Sequence, residues 1–123
     1  MEKNVEISLL LSFYKNMLTE RQADTVELYY NEDLSLAEVG TELGISRQGV
    51  RDNLKRAEAI LYDVESKLGL AARFLEIKSK LSEIDIIIEE IESSPDAKLL
   101  PDSIKLQINR ILTIIAGINE IED

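Results

Sequence analysis

The sequence contains no cysteine and no histidine among its 123 residues. Without cysteine the chain can form neither a disulfide nor a thiolate metal site, which is typical of proteins kept in a reducing cytoplasm. Without histidine it lacks the commonest general base and the commonest ligand of transition metals. The glutamates at positions 89, 90 and 92 therefore have no such partner, and they indicate a solvated helix face. We expect no catalytic residue, no metal site and no cofactor.

Long apolar runs are absent as well. The runs at residues 9–11 and 86–88 are far shorter than the ~20 residues needed to cross a bilayer. The charged residues 1–4 lead directly into a helical pattern and have no features of a secretory signal. The apolar fraction of 45% is nevertheless enough for a core. These features predict a soluble, cytoplasmic protein with no membrane partner.

Acidic residues outnumber basic ones by 24 to 14, which gives a net charge of −10. DNA-binding proteins usually carry net positive charge, because DNA is a polyanion. Residues 1–75 hold nine basic and thirteen acidic side chains, whereas residues 76–123 hold five and eleven. The acidity is therefore weighted toward the C-terminal third. Any DNA binding is expected to be of modest affinity and strongly dependent on salt.

Apolar residues recur at helical spacing almost throughout the chain, and no alternating run suggests a strand. The first four predicted helices cover residues 4–17, 20–31, 36–43 and 47–68. Two capping boxes support the second and third helices, Thr19 with Gln22 and Ser35 with Glu38. Ser46 is a third N-cap, at the start of the fourth helix. The sequence thus predicts an all-α fold.

Residues 35–56 have the pattern of a helix-turn-helix. Gly44 is placed at the turn between the helices, where a positive φ is favourable only for glycine. Gly40 is small at the point where the two helices approach closely. The residues predicted to pack these helices together are Val39, Leu43, Ile45, Val50 and Leu54. A helix-turn-helix of this kind lays its second helix in the major groove of DNA.

The exposed residues of that second helix have the side chains that read DNA. Arginine pairs with guanine, glutamine with adenine, and lysine with phosphate. The residues predicted to contact or to position DNA are Ser46, Arg47, Gln48, Arg51 and Lys55. The alternative is a solvated helix face on a protein–protein module, since fold does not determine function.

From residue 70 onward the apolar residues step by four and three positions. Two such seams are separated by the helix-breaking segment 93–96 and by Pro101. The seams consist of Leu70, Phe74, Ile77, Leu81, Ile84, Ile88 and Ile91, and of Ile104, Ile108, Ile111, Ile115 and Ile118. We expect them to pack on each other in an antiparallel helical hairpin.

Further apolar residues lie outside the two seams. They are Ile86, Ile87, Leu106, Leu112 and Ile114. An apolar stripe this wide favours burial against a second copy of the chain. We therefore divide the chain into a helix-turn-helix domain at residues 1–68 and an acidic helical hairpin at residues 69–123, which we expect to form a homodimer.

Several segments resemble known families. Residues 18–22 (LTERQ), residues 28–30 (LYY) and the helix-turn-helix are similar to region four of bacterial sigma factors, where this helix reads a promoter element. We expect that the protein is not a complete sigma factor, because these residues do not include the domain that melts a promoter. Residues 31–38 (NEDLSLAE) and 46–52 (SRQGVRD) resemble the centre of the YlxM-like family of small DNA-binding proteins. This resemblance implies a cytoplasmic regulator linked to the signal recognition particle pathway through gene neighbourhood.

Two functions are consistent with the sequence. The first is a homodimeric DNA-binding regulator, favoured by the chemistry of the recognition helix. The second is a helical adaptor that binds a protein or ribonucleoprotein partner of the secretion machinery, such as a signal recognition particle component, without sequence-specific DNA binding. The net charge of −10 favours this second function.

Overall fold

The computed structural model describes residues 1–122, with side chains described as far as residue 120. Over this range the chain is all-α and contains no strand, as predicted. The helices are α1 (Lys3–Tyr14), α2 (Glu20–Val26), α3 (Leu36–Leu43), α4 (Arg47–Leu68), α5 (Leu70–Ser93) and α6 (Asp102–Glu122). The architecture is a helix-turn-helix core followed by a C-terminal helical hairpin. None of the helices in the described range is both long enough and apolar enough to span a membrane.

The predicted caps are confirmed by their hydrogen bonds. Thr19 and Gln22 form a reciprocal capping box at the start of α2, and Ser35 and Glu38 form another at the start of α3. At the start of α4 the Ser46 hydroxyl accepts a hydrogen bond from the Gly49 N–H at 3.0 Å. Each cap satisfies N–H groups that the first turn of a helix leaves without a partner.

The first two helices end earlier than the sequence predicted. After Tyr14 the chain tightens into a 3₁₀ turn at Lys15–Met17. After Val26 it widens into a π-helical turn at Glu27–Asn31, so the predicted helix 20–31 is α-helical only in its first half. Tyr30 in the widened turn is half-buried, whereas Ala23 and Val26 of α2 are buried.

Contacts divide the chain into two compact units, Met1–Ala72 and Arg73–Asp123. The first unit has a core of buried side chains from α1, α2, α3 and α4, together with Ala71. The predicted helix-turn-helix packing is confirmed, because Val39, Val50 and Leu54 are buried while Leu43 and Ile45 pack against them. Burial of aliphatic side chains of this size stabilises a fold by roughly 1.5–3 kcal/mol each.

The second unit contains most of α5, a 3₁₀ segment at Pro95–Leu99, and α6. The prediction that the two apolar seams cover each other is wrong in part. Alternate seam residues are covered, with Ile88 and Ile115 buried, while most of the others stay open to solvent. The exposed seam residues are Leu70, Ile77, Ile84, Ile91, Ile104 and Ile111, whereas Ile118 is half-buried. A helix in contact with one neighbour covers only one flank of a wide apolar stripe, which explains the difference.

Candidate nucleic-acid interface

The turn between α3 and α4 is fixed by backbone geometry. Gly44 ends α3 with a φ of 71°, in the left-handed region where glycine is favoured. The Ile45 N–H then donates to the Gly40 carbonyl at 2.9 Å. A Cβ atom on Gly40 would lie only 2.7 Å from the backbone oxygen of Ile45, so the position has no room for a side chain. The backbone of α3 therefore lies directly against the backbone of the turn at Ile45 and Ser46, and α4 begins in a fixed direction.

The predicted DNA-contacting side chains lie together on the exposed surface of α4. Arg47, Arg51 and Lys55 follow each other at intervals of four residues, so they form one row along the helix. All three are exposed, whereas the intervening Val50 and Leu54 are buried. Within the side chains that the structure describes, residues 1–120, none of the three forms an ion pair with an acidic residue. Their charges are thus directed to solvent, where a phosphate or a base edge could be contacted.

Gln48 and Asp52 form a second row beside the basic one. The Gln48 amide donates a hydrogen bond to the Asp52 carboxylate at 3.0 Å. This bond orients the Gln48 side chain and leaves its oxygen directed away from Asp52 as an acceptor. The sequence predicts that Gln48 is exposed, but it did not identify this hydrogen bond with Asp52. Their spacing of four residues, which favours Gln–Asp pairs on helices, was the available indication.

Ser46 has a structural position at this interface. Its hydroxyl is engaged as the N-cap of α4, and its carbonyl accepts from the Val50 N–H at 2.9 Å. The first turn of α4 carries no acidic residue, so the positive end of the helix dipole is not opposed there. The helix N-terminus and Arg47 therefore present positive potential on the same side.

The middle of α4 is held against α1 and the π-helical turn by one acidic residue. The Glu58 carboxylate accepts a hydrogen bond from the Tyr30 hydroxyl at 2.7 Å and pairs with the Lys3 ammonium at 3.0 Å. Burial raises the pKa of Tyr30, and the hydrogen bond to Glu58 raises it further, so the phenol stays protonated. These contacts also offset the charge of the acidic residue nearest to the basic row on its C-terminal side.

No cluster of three or more potential ligands in the described part of the chain could hold a metal ion. What the α4 surface offers is a rigid helix with a row of basic side chains. Such a surface can bind an anionic polymer through phosphates and base edges. The fold and this surface define the chain as a helix-turn-helix protein.

The comparison with known proteins identifies the family. Residues 1–99 match the family described as "Putative helix-turn-helix protein, YlxM / p13 like". The chain belongs to this family, as the sequence resemblance indicated. The match includes the helix-turn-helix and all of α5, whereas α6 lies outside it.

Curated relatives named UPF0122 protein cover most of the chain. One from Acetivibrio thermocellus is 47% identical over 104 residues, which are 81% of this chain and 89% of the relative. One from Desulforamulus reducens is 44% identical over 88 residues, 72% of this chain and 75% of the relative. One from Bacillus mycoides is 39% identical over 104 residues, 79% of this chain and 94% of the relative.

Proposed function

We propose that this protein is a DNA-binding regulator that inserts the first turns of α4 into the major groove. The observation that carries the proposal is the exposed basic row of Arg47, Arg51 and Lys55, fixed in direction by the Ser46 cap and the Gly40–Ile45 contact. In this function the arginines contact guanine or phosphate, Gln48 contacts a base edge, and Lys55 contacts phosphate. The role is one of binding, without catalysis.

The proposal extends to a homodimer that works in the cytoplasm. A single copy offers only a few basic residues to the DNA backbone, and each phosphate contact adds a limited amount of affinity through counterion release. Two copies double those contacts and present two recognition helices. The extension to the signal recognition particle pathway rests on the resemblance to YlxM-like proteins alone.

A DNA titration of Arg51→Ala tests the role of the α4 surface. The substitution removes a contact and no packing, because Arg51 is exposed. We expect duplex DNA to bind about 5- to 150-fold more weakly, which is the range of 1–3 kcal/mol for a base contact. The thermal midpoint should stay within about a degree of the parent value, since surface substitutions change stability little.

Lys67→Ala is the matched control for that titration. Lys67 is also an exposed basic residue of α4, but it pairs with Asp63 at 3.0 Å in the last turn. It lies sixteen residues from Arg51, about 24 Å along the helix axis. Its loss should leave DNA affinity nearly unchanged. An equal loss of DNA affinity in both variants would mean that only the overall charge of the protein affects binding. An unchanged DNA affinity of Arg51→Ala would contradict the proposed interface.

The second candidate function is the adaptor for a protein or ribonucleoprotein of the secretion machinery. The net charge of −10 is the observation that favours it, because overall repulsion opposes binding to a polyanion. Genome-wide crosslinking of the protein to DNA, with bound RNA recovered in parallel, distinguishes the two functions. Discrete DNA sites support the regulator. Enrichment of signal recognition particle RNA without DNA sites supports the adaptor.

A further inference from the structure

The apolar residues of the second unit follow a seven-residue repeat. Within each repeat we name the first core position a and the second d, with e following d and g preceding a. On α5 position a is occupied by residues 74, 81 and 88, and on α6 by residues 108 and 115. Position d is isoleucine every time, at residues 77, 84, 91, 104, 111 and 118.

The two core positions differ systematically in exposure. All five a residues are buried or half-buried, down to 6% exposed for Ile88 and 4% for Ile115. Five of the six d residues are 39 to 44% exposed, the exception being Ile118. At position g, Ile87 and Ile114 are more exposed still, at 55% and 61%. Each helix is therefore covered on its a side and open along its d side. We call the d isoleucines, together with Ile87 and Ile114, the isoleucine stripe; the other g positions hold Arg73, Lys80 and Gln107.

The isoleucine stripes of the two helices match each other. Each runs for fourteen residues between its first and last d position, which is about 21 Å of helix. Between residues 73 and 118, no a, d or g position of α5 or α6 carries an acidic side chain. The acidic residues that give this unit its negative charge lie on the other faces. Like charges would thus stay at the periphery if two stripes met.

The row beside the stripe also differs in charge between the helices. On α5 this row, which lies two positions after each a residue and next to position g on the helix surface, holds Glu76, Glu83 and Glu90. On α6 the equivalent row holds Arg110 and no acidic residue up to residue 118. Placing α5 of one copy along α6 of another would therefore bring opposite charges together beside the apolar contact.

We propose that the isoleucine stripe is the surface that joins two copies of this chain, α5 of each copy lying along α6 of the other. Two hairpins supply four helices, the number that closes a bundle around a and d residues. The two-fold arrangement uses the same surface on both copies, so it closes at the dimer. This inference specifies the partner surface of the homodimer in the proposed function and rests on that part of it, while it is independent of DNA binding.

Two neighbouring isoleucines provide a matched test of the stripe. Ile86 and Ile87 are 54% and 55% exposed, but only Ile87 lies at position g, whereas Ile86 lies about 100° around the helix from it and outside the stripe. On α6 the corresponding pair is Ile114 in the stripe and Leu106 outside it, 61% and 64% exposed. Because all four side chains are more than half exposed, a single copy of the chain should tolerate glutamate equally well at each of these positions.

The experiment is sedimentation of the full chain between about 1 and 100 μM in the absence of DNA. We expect the parent to be dimeric. The double variant Ile87→Glu with Ile114→Glu should be monomeric, with a dissociation constant raised about 100-fold or more. The double variant Ile86→Glu with Leu106→Glu should stay dimeric, and helical content should be the same in all three proteins.

The inference is overturned by a parent that is monomeric over the whole range, or by two double variants that behave alike. If the parent is monomeric and binds a basic amphipathic peptide through Ile87 and Ile114, the stripe is a binding surface for another protein and not for a second copy. If glutamate lowers the helical content, alanine at the same two pairs of positions repeats the comparison. Because no DNA is present, a failure here is distinct from a failure of the DNA-binding role.

Discussion

At the scale of single residues, Gly44 provides the left-handed conformation that forms the turn of the helix-turn-helix. Its φ of 71° is one that other residues adopt only at a cost of roughly 1–2 kcal/mol. A Cβ atom at Gly44 would meet nothing within 4 Å, so the cost of a substitution is conformational and not steric. Gly117, within α6, also has open space around its Cβ position, but its φ is not positive. Because neither position is crowded, a comparison of substitutions at the two glycines reports the effect of backbone conformation alone.

We expect Gly44→Ala to destabilise the protein and Gly117→Ala to stabilise it. The first loses roughly 1–2 kcal/mol because alanine is strained at positive φ. The second gains roughly 0.5–1 kcal/mol because alanine is the better helix former. Thermal unfolding followed by circular dichroism measures both. A Gly44→Ala variant that melts like the parent would show that the turn relaxes to ordinary geometry.

The features that the sequence predicted correctly at this scale are local ones. The Thr19–Gln22 and Ser35–Glu38 boxes each join residues three apart, so their spacing alone indicates the hydrogen bonds. The left-handed conformation of Gly44 follows equally from its place between two apolar segments. The predicted side chains of the DNA interface are also exposed on one helix, because their spacing along α4 is local. Their function stays a prediction.

At the scale of helices, Glu65 of α4 connects three elements within the first unit. Its carboxylate accepts hydrogen bonds from the Tyr14 hydroxyl at 2.5 Å and from the N–H groups of Ala71 and Ala72 at 3.0 Å. The Tyr14 oxygen accepts in turn from the Leu70 N–H at 3.1 Å. The first turn of α5 is therefore capped by side chains from α4 and α1. These bonds fix where α5 begins.

The pKa of Glu65 gives this cap a pH dependence. Burial of the carboxyl raises its pKa, but the hydrogen bonds from Tyr14, Ala71 and Ala72 outweigh that effect and hold the pKa below its ordinary value of 4.5. A folded-state pKa below the unfolded one stabilises the fold above pH 4.5, and the contribution is lost as the pH falls through the folded value. The charged form of Glu65 is thus the stabilising one at neutral pH.

We expect Glu65→Gln to lower the thermal midpoint by several degrees at pH 7, and the difference from the parent to narrow as the pH falls below 4.5. Melting curves between pH 3 and 8 measure the difference. Glu42→Gln, at an exposed position of α3, should leave the midpoint nearly unchanged at pH 7. A difference between Glu65→Gln and the parent that stays constant with pH would mean that the carboxylate charge does not contribute.

The sequence could not predict these contacts between helices, for a physical reason. Tyr14 and Glu65 are fifty-one residues apart, and no spacing rule connects them. The π-helical turn at Glu27–Asn31 contains Tyr29 and Tyr30, whose rings lie edge to face with their centroids 4.9 Å apart. The open d side of α5 and α6 depends on which flank of each helix is covered. Periodicity gives the width of an apolar stripe and not the part of it that meets a neighbour.

At the scale of the whole molecule, the net charge of −10 limits what one copy can do on DNA. The basic row of α4 contributes at most a few phosphate contacts, and log affinity falls with log salt concentration with a slope of about −0.9 per phosphate contacted. A dimer should therefore show about twice the salt slope of a monomer on the same DNA. It should also require two half-sites, because its recognition helices are related by a two-fold axis.

We expect the parent to bind a site with two half-sites spaced by about one helical turn of DNA, near 34 Å, much more tightly than a site with one. The variant with glutamate at Ile87 and Ile114 should bind both sites equally and weakly, since its recognition helix is intact but single. The control with glutamate at Ile86 and Leu106 adds the same charge and should keep the preference of the parent. Fluorescence titrations on DNA selected by the parent measure these affinities. Equal affinity of the parent for one and two half-sites would separate dimerisation from DNA recognition, and the adaptor function would then account better for the isoleucine stripe.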